Sequence, residues 1–246
     1  MIEPTTTDLP RADAPPAEAP GPGAEALSFF VQVWAILRKD LLLEGRRRET
    51  IAGMGMLALL VIVVFAFALD LADPRTAEVA PGALWVAYLF AGVIGLGRGI
   101  AFEHDWGTLE GLLLAPVDRA AIYLAKTLGN ALLMLATEVA CLPVFAVFFG
   151  LPILRPALAP ALLLGAVGIS ASATLFSALA IRTRAREVLL PAMTFPLVVP
   201  ALIAGVEATT AVLAGGDPGR WVGLLVVFDA VFLAVGLIVF DAVLED

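Results

Sequence analysis

Residues 51–69 read IAGMGMLALLVIVVFAFAL and carry no charge. A helix needs about 20 such residues to cross the hydrocarbon core of a bilayer. Five more apolar runs follow, at about 79–101, 122–149, 157–181, 188–206 and 221–243. The links between them are short. Lipid cannot satisfy free backbone groups, so each run is expected to be helical. The period-two alternation of a membrane barrel is absent. The expected fold class is an all-α integral membrane protein, with six transmembrane helices in one domain over 51–246.

The composition agrees. Of 246 residues, 61% are hydrophobic and 15% charged, against about 45–50% and about 25% in a soluble domain. That excludes a disordered chain, a collagen-like chain and a disulfide scaffold. A soluble globular protein would have too little polar surface to cover its apolar core. The net charge is −8, of which residues 1–26 supply −4, and no basic stripe suggests nucleic acid. The single cysteine, Cys141, lies in an apolar stretch. Alone it offers neither an internal disulfide nor a CxxC metal site.

Residues 1–26 hold six of the 17 prolines and read as a disordered, acidic tail. They lack the basic start and apolar run of a signal peptide. Residues 27–50 form an expected amphipathic helix. Phe30, Val33, Trp34, Leu37 and Leu41 recur on one face, with Ser28, Gln32, Ala35 and Lys39 opposite and Arg46, Arg47 and Arg48 following. Such a helix lies in the membrane interface. Basic residues then orient the bundle. With 27–50 cytoplasmic, that side also holds Arg38, Arg119, Arg182, Arg184 and Arg186, and the outer side only Arg75, Arg155 and Arg220. Both termini are then cytoplasmic.

Span interiors carry packing signals. Gly95-x-x-x-Gly99 and the small residues Gly165, Gly168, Ser172 and Ser177 let helices approach closely. Pro191, Pro196 and Pro200 each remove a backbone donor from span five and are candidate kinks.

Few residues suggest chemistry. No phosphate-binding GxxxxGK[ST] loop, HExxH or GxSxG occurs, and His104 is the only histidine. No catalytic or metal-ligating set is expected. The longest cytoplasmic link is 102–119. Thr108 can cap a short helix with Leu109, Leu112 and Leu113 on one face, Pro116 stops it, and Asp118 can cap span three. This helix either lies on the membrane or serves as a knob for a soluble partner's groove. Polar candidates inside the spans are Lys126, Asn130, Glu138 and Asp229. Charges at that depth usually face the bundle interior and mark function; packing through inter-helix hydrogen bonds is the alternative. Lys126 can instead snorkel to the interface.

The cytoplasmic segment E-x-x-x-G-T-L-E-x-L-L-x-x-P, here Glu103, Gly107, Thr108, Leu109, Glu110, Leu112, Leu113 and Pro116, followed by Asp118, Arg119 and Lys126, resembles the type-two export permeases of ABC transporters. A closer resemblance is to the haem-exporter B family, CcmB, of cytochrome c maturation. LLLAPVDRAAIYLAKTLGN (112–130), Pro81 to Val86, the three prolines of span five, and Phe228 to Glu245 carry it. It covers about 27–246. The family often has a glycine where this chain has Ala125.

The resemblance implies the six-helix type-two exporter fold and a permease subunit in the bacterial inner membrane. It implies a pair of permeases, a CcmA-like ATPase carrying ATP and Mg, CcmC- and CcmD-like membrane proteins and a CcmE-like haem chaperone. Haem would be handled by the complex and held by those partners. The task is either haem export or ATP-driven release of the haem-loaded chaperone, with 102–119 as the ATPase-coupling segment. Three alternatives stand beside it. They are export of a lipid, polysaccharide or drug, a membrane scaffold for haem-handling partners, and a secondary transporter using Glu138 as a proton relay.

Overall fold

The structure is a computed structural model and describes residues 22–71, 73, 75–105, 117–180 and 186–245. Its helices are α1 (Pro22–Arg47), α2 (Glu49–Ala68), α3 (Thr76–Asp105), α4 (Arg119–Phe149), α5 (Ala159–Ala180), α6 (Arg186–Leu213) and α7 (Gly219–Glu245), with one 3-10 turn at Pro156–Leu158. Six of them, α2 to α7, are long and apolar enough to cross a membrane. No strand occurs among the described residues.

Two boundaries differ most from expectation. Helix α1 begins at Pro22 rather than at 27, because proline is well placed in a first helical turn, where its missing N–H is not needed. Helix α6 runs on to Leu213 instead of stopping near 206. Glu207, Thr209 and Thr210 look like a helix end in sequence. Yet Thr209 Oγ1 donates to the Gly205 carbonyl at 2.8 Å, and Thr210 Oγ1 to that of Val206 at 2.9 Å. Both hydroxyls are thereby satisfied inside the helix. Pro191, Pro196 and Pro200 all lie within this one helix.

Helix α5 is the axis of the bundle. Of its span 78% is buried, against 22% for α2 and for α7. Its surface is small: Gly165, Ala166, Gly168, Ala171 and Ala173 let neighbours close on it. In a bilayer, where lipid is as apolar as leucine, such close packing drives helix association. Trp85 of α3 shows how. The indole lies on Gly165 of α5 and on Gly205 of α6, where an added Cβ would sit 2.5 Å from Trp85 Cε2. Its N–H donates to Thr209 Oγ1 at 2.9 Å. One buried side chain thus joins three helices. Gly95 likewise gives room to Met54 of α2, and Gly236 of α7 to Tyr123 of α4.

The links are tied by capping. Gly150 and Gly215 have φ of 63° and 74°, the left-handed conformation glycine adopts at helix ends. Arg155 donates to the carbonyls of Val212 and Leu213 at 2.7 and 3.3 Å, closing the last turn of α6. At the α1–α2 corner, Glu44 Oε1 accepts from the backbone N–H groups of Thr50 and Ile51 at 3.0 and 3.2 Å. It serves as the N-terminal cap of α2.

Candidate functional site

At the end of the bundle where α4 begins, a second small core forms apart from the main one. Val33, Ile36 and Leu37 of α1 pack with Ala121, Ile122 and Ala125 of α4, Leu175 of α5 and Phe240 of α7. The buried stripe of α1 takes in only part of the apolar face expected to meet the membrane interface. Val33 and Leu37 lie on it, but Phe30 and Trp34 stand 68% and 64% exposed. The cause is that α1 has apolar residues on two faces, and α4 takes the one that also carries Asp40 and Gln32.

Asp40 decides the docking. Its carboxylate receives Lys126 Nζ of α4 at 2.7 Å, with the lysine side chain 9% accessible and the aspartate 20%. Lys39 also reaches Asp40, at 3.1 Å, from a far more exposed position. Lys126 therefore does not snorkel outward; it is drawn onto α1, because a buried ammonium is stable only when paired. About two turns earlier, Gln32 Oε1 accepts from the backbone N–H of Asp118 at 2.9 Å. Asp118 caps α4 as expected, Oδ1 accepting from the Ala120 N–H at 2.8 Å. Together these contacts clasp α1 to the first two turns of α4.

The residues expected from sequence to form an ATPase-coupling segment precede this clasp in the chain. Gly107, Thr108, Leu109, Glu110, Leu112, Leu113 and Pro116 lie outside the described residues. Glu103 falls on the last turn of α3, and Arg119 opens α4. Whatever 106–116 does, its downstream end at Asp118 is held to α1.

Further along α4, Asn130 donates to Thr174 Oγ1 of α5 at 2.9 Å, a packing contact. Glu138 is fully buried. Its backbone carbonyl accepts from Tyr88 of α3 at 2.9 Å, while its carboxylate has no hydrogen-bond partner among the described residues. Asp229 of α7 is also buried without such a partner. It rests on Gly168 of α5, whose added Cβ would lie 2.5 Å from Asp229 Oδ1. The two acids therefore sit against different helices and form no pair. The inter-helix hydrogen bonds weighed for them from sequence do not form among the described residues.

Residues 31–245 match the family model described as CcmB protein. The chain belongs to the CcmB family. Three curated relatives share the name "Heme exporter protein B". That of Rhodobacter capsulatus is 33% identical over 177 residues, 70% of this chain and 80% of its own length. The Paracoccus denitrificans protein is 31% identical over 186 residues, 73% and 85% of the two chains. The Pseudomonas aeruginosa protein is 30% identical over 181 residues, 73% and 81%. The CcmB match takes in the docking stripe of α1, the whole of α4 and all six spans. The clasp thus lies within the CcmB part of the chain.

Sequence reading missed Asp40, Gln32, Trp85 and Tyr88 as partners of the site and core. Asp40 carried a usable signal, an acid three residues after Leu37 and four after Ile36, hence on their face of the helix.

Proposed function

We propose that this multi-pass membrane protein is the permease subunit of an ABC-type haem exporter serving c-type cytochrome biogenesis. The observation that carries the reading is the CcmB match over residues 31–245, which spans every membrane helix. The chain is a non-enzymatic subunit; ATP and Mg belong to a separate CcmA-like ATPase. CcmC- and CcmD-like membrane proteins and a CcmE-like haem chaperone complete the assembly. The protein resides in the bacterial inner membrane with both termini cytoplasmic.

In this reading the coupling segment 102–119 rides in a groove of the ATPase. A ligand shifts a conformational equilibrium only through different affinity for its states. The ATPase therefore grips the segment differently with ATP bound. The Asp40–Lys126 ion pair and the Gln32–Asp118 hydrogen bond support a lever in which α1 and the start of α4 move as one body. Displacement at Asp118 then reaches α5 through the small core at Leu175, and α3 and α6 through the packing on α5. Haem is cargo of the complex, exported or released on its chaperone.

The test is purification of the tagged chain in mild detergent, with mass spectrometry of all associated proteins and haem absorbance on the same sample. An ATPase together with haem-handling membrane proteins is the expected result. An ATPase without those proteins or haem moves the chain to export of another substrate, and no ATPase removes the reading.

A further inference from the structure

The charges of α1 are sorted between its two sides. Between Phe29 and Arg47 its acids are Asp40 and Glu44, and the bundle uses both. Asp40 receives Lys126 Nζ, and Glu44 accepts from the backbone of Thr50 and Ile51. The bases lie away from that side. Arg38 on α1 and Arg48 at the α1–α2 corner are exposed, and Arg38 has no ion-pair partner among the described residues. Lys39 touches Asp40 but keeps 44% of its side chain accessible. Glu49 is exposed as well, but in the first turn of α2, where a carboxylate complements the helix N-terminus. The free side of α1 is thus basic on a chain whose net charge is −8. It is also apolar. Phe30, Trp34, Arg38 and Leu42 follow at steps of four residues, which places them on one face. All four are exposed.

The neighbouring helix fixes the level of this face. Helix α2 has 20 residues, about 30 Å of length, and the hydrocarbon layer is about 30 Å thick. It has no length to spare, so Glu49 stands at the edge of that layer and Arg48 among the headgroups. The chain runs from α1 to α2 through Arg48 alone, in the left-handed conformation with φ of 54°. The basic half of α1 is thereby held next to the phosphate level. Tryptophan favours that level, and arginine extends its charge outward from an apolar surface. We propose that the free face of α1 binds anionic phospholipid, with Arg38 on the lipid phosphate and Trp34 and Leu42 against the glycerol and upper acyl region. The anionic charge is what the exposed bases select; a zwitterionic headgroup brings its own cation. Because the same helix is clasped to α4, this contact anchors the clasp to the membrane surface. The inference needs a membrane beside α1 and no particular cargo.

The experiment reconstitutes the full-length protein in vesicles of mixed phosphatidylglycerol and phosphatidylcholine. One lipid at a time carries bromine on its acyl chains, which quenches a tryptophan that it touches. The Trp34 signal is the difference between the parent and Trp34→Phe. The expected result is stronger quenching of Trp34 by brominated phosphatidylglycerol than by brominated phosphatidylcholine at equal mole fraction. Arg38→Gln should lower the ratio of the two association constants about fivefold, and Arg38→Lys should leave it within about twofold. Raising the salt from about 0.05 to about 0.5 M should lower the ratio in the parent protein, which tests the same point without a substitution. Equal quenching by the two lipids overturns the proposal. So does quenching by neither, which would mean that Trp34 faces water or a second copy of the chain. A ratio unchanged both by Arg38→Gln and by salt overturns it too. None of these outcomes touches the permease reading, which rests on the family match.

Discussion

Replacing Asp40 by Asn keeps the shape of the α1–α4 contact and removes its charge. Lys126 is then left 9% accessible without its carboxylate, which lies 2.7 Å away in the parent protein. Removing one partner of a fully buried pair costs about 3–5 kcal/mol. Asp40 is 20% accessible, so water can reach the vacated side, and about 2–3 kcal/mol is the fitting figure. A chain of this length loses about 2–4 °C of Tm per kcal/mol. Asp40→Asn should therefore melt about 5–10 °C below the parent, by circular dichroism in one detergent at one scan rate. Lys39→Ala should shift Tm by about 1 °C or less, since that pair is exposed and such pairs contribute little. Adding Lys126→Met to Asp40→Asn removes the stranded charge and should recover most of the loss. An Asp40→Asn melt within about 1 °C of the parent would refute this reasoning. So would a double variant no more stable than the single one.

Four further outcomes follow from the same geometry. Thr209→Val removes the acceptor of the Trp85 N–H, at 2.9 Å, and should cost about 0.6–1.7 kcal/mol; in combination with Trp85→Phe the losses should fall short of additive in a double-mutant cycle. Gly205→Ala drives a methyl to 2.5 Å from the indole and should destabilise by about 1–3 kcal/mol, partly relieved by Trp85→Phe in the same melts. Glu138→Leu replaces a buried carboxylate that has no hydrogen-bond partner among the described residues, so its Tm should equal or exceed that of the parent, while a maturation assay on the stable variant reports any role in transport. Glu110→Lys, or Leu112→Pro in the coupling segment, should reduce ATPase activity of the purified complex while membrane levels on immunoblots stay at those of the parent.

The six spans were legible because an uncharged run such as 51–69 has one stable form in lipid. The cap at Asp118 was legible because it is local: the side chain reaches a backbone N–H two residues on. The end of α6 was misread because Thr209 and Thr210 hide their polarity by bonding back to carbonyls four residues earlier. The face of α1 that packs on α4 was not singled out in the sequence, because apolar residues lie on both sides of the helix: Val33, Ile36 and Leu37 are buried while Phe30 and Trp34 stay exposed. The partner of Lys126 could not be read at all, since Asp40 is 86 residues away in the chain. The same holds for Trp85, whose two glycine seats are on different helices. Local hydrogen bonding and hydropathy are written in neighbouring residues. Pairings between helices depend on which faces meet, and that is settled only by packing.

The central claim, a permease required for c-type cytochrome biogenesis, is tested most directly by deleting the gene in its own host. Membrane c-type cytochromes are then read by haem-peroxidase staining after gel electrophoresis. The expected result is loss of every haem-stained c-type band, restored by the parent allele and not by an allele broken at Leu112. Normal haem-stained cytochromes in the deletion strain would contradict the claim.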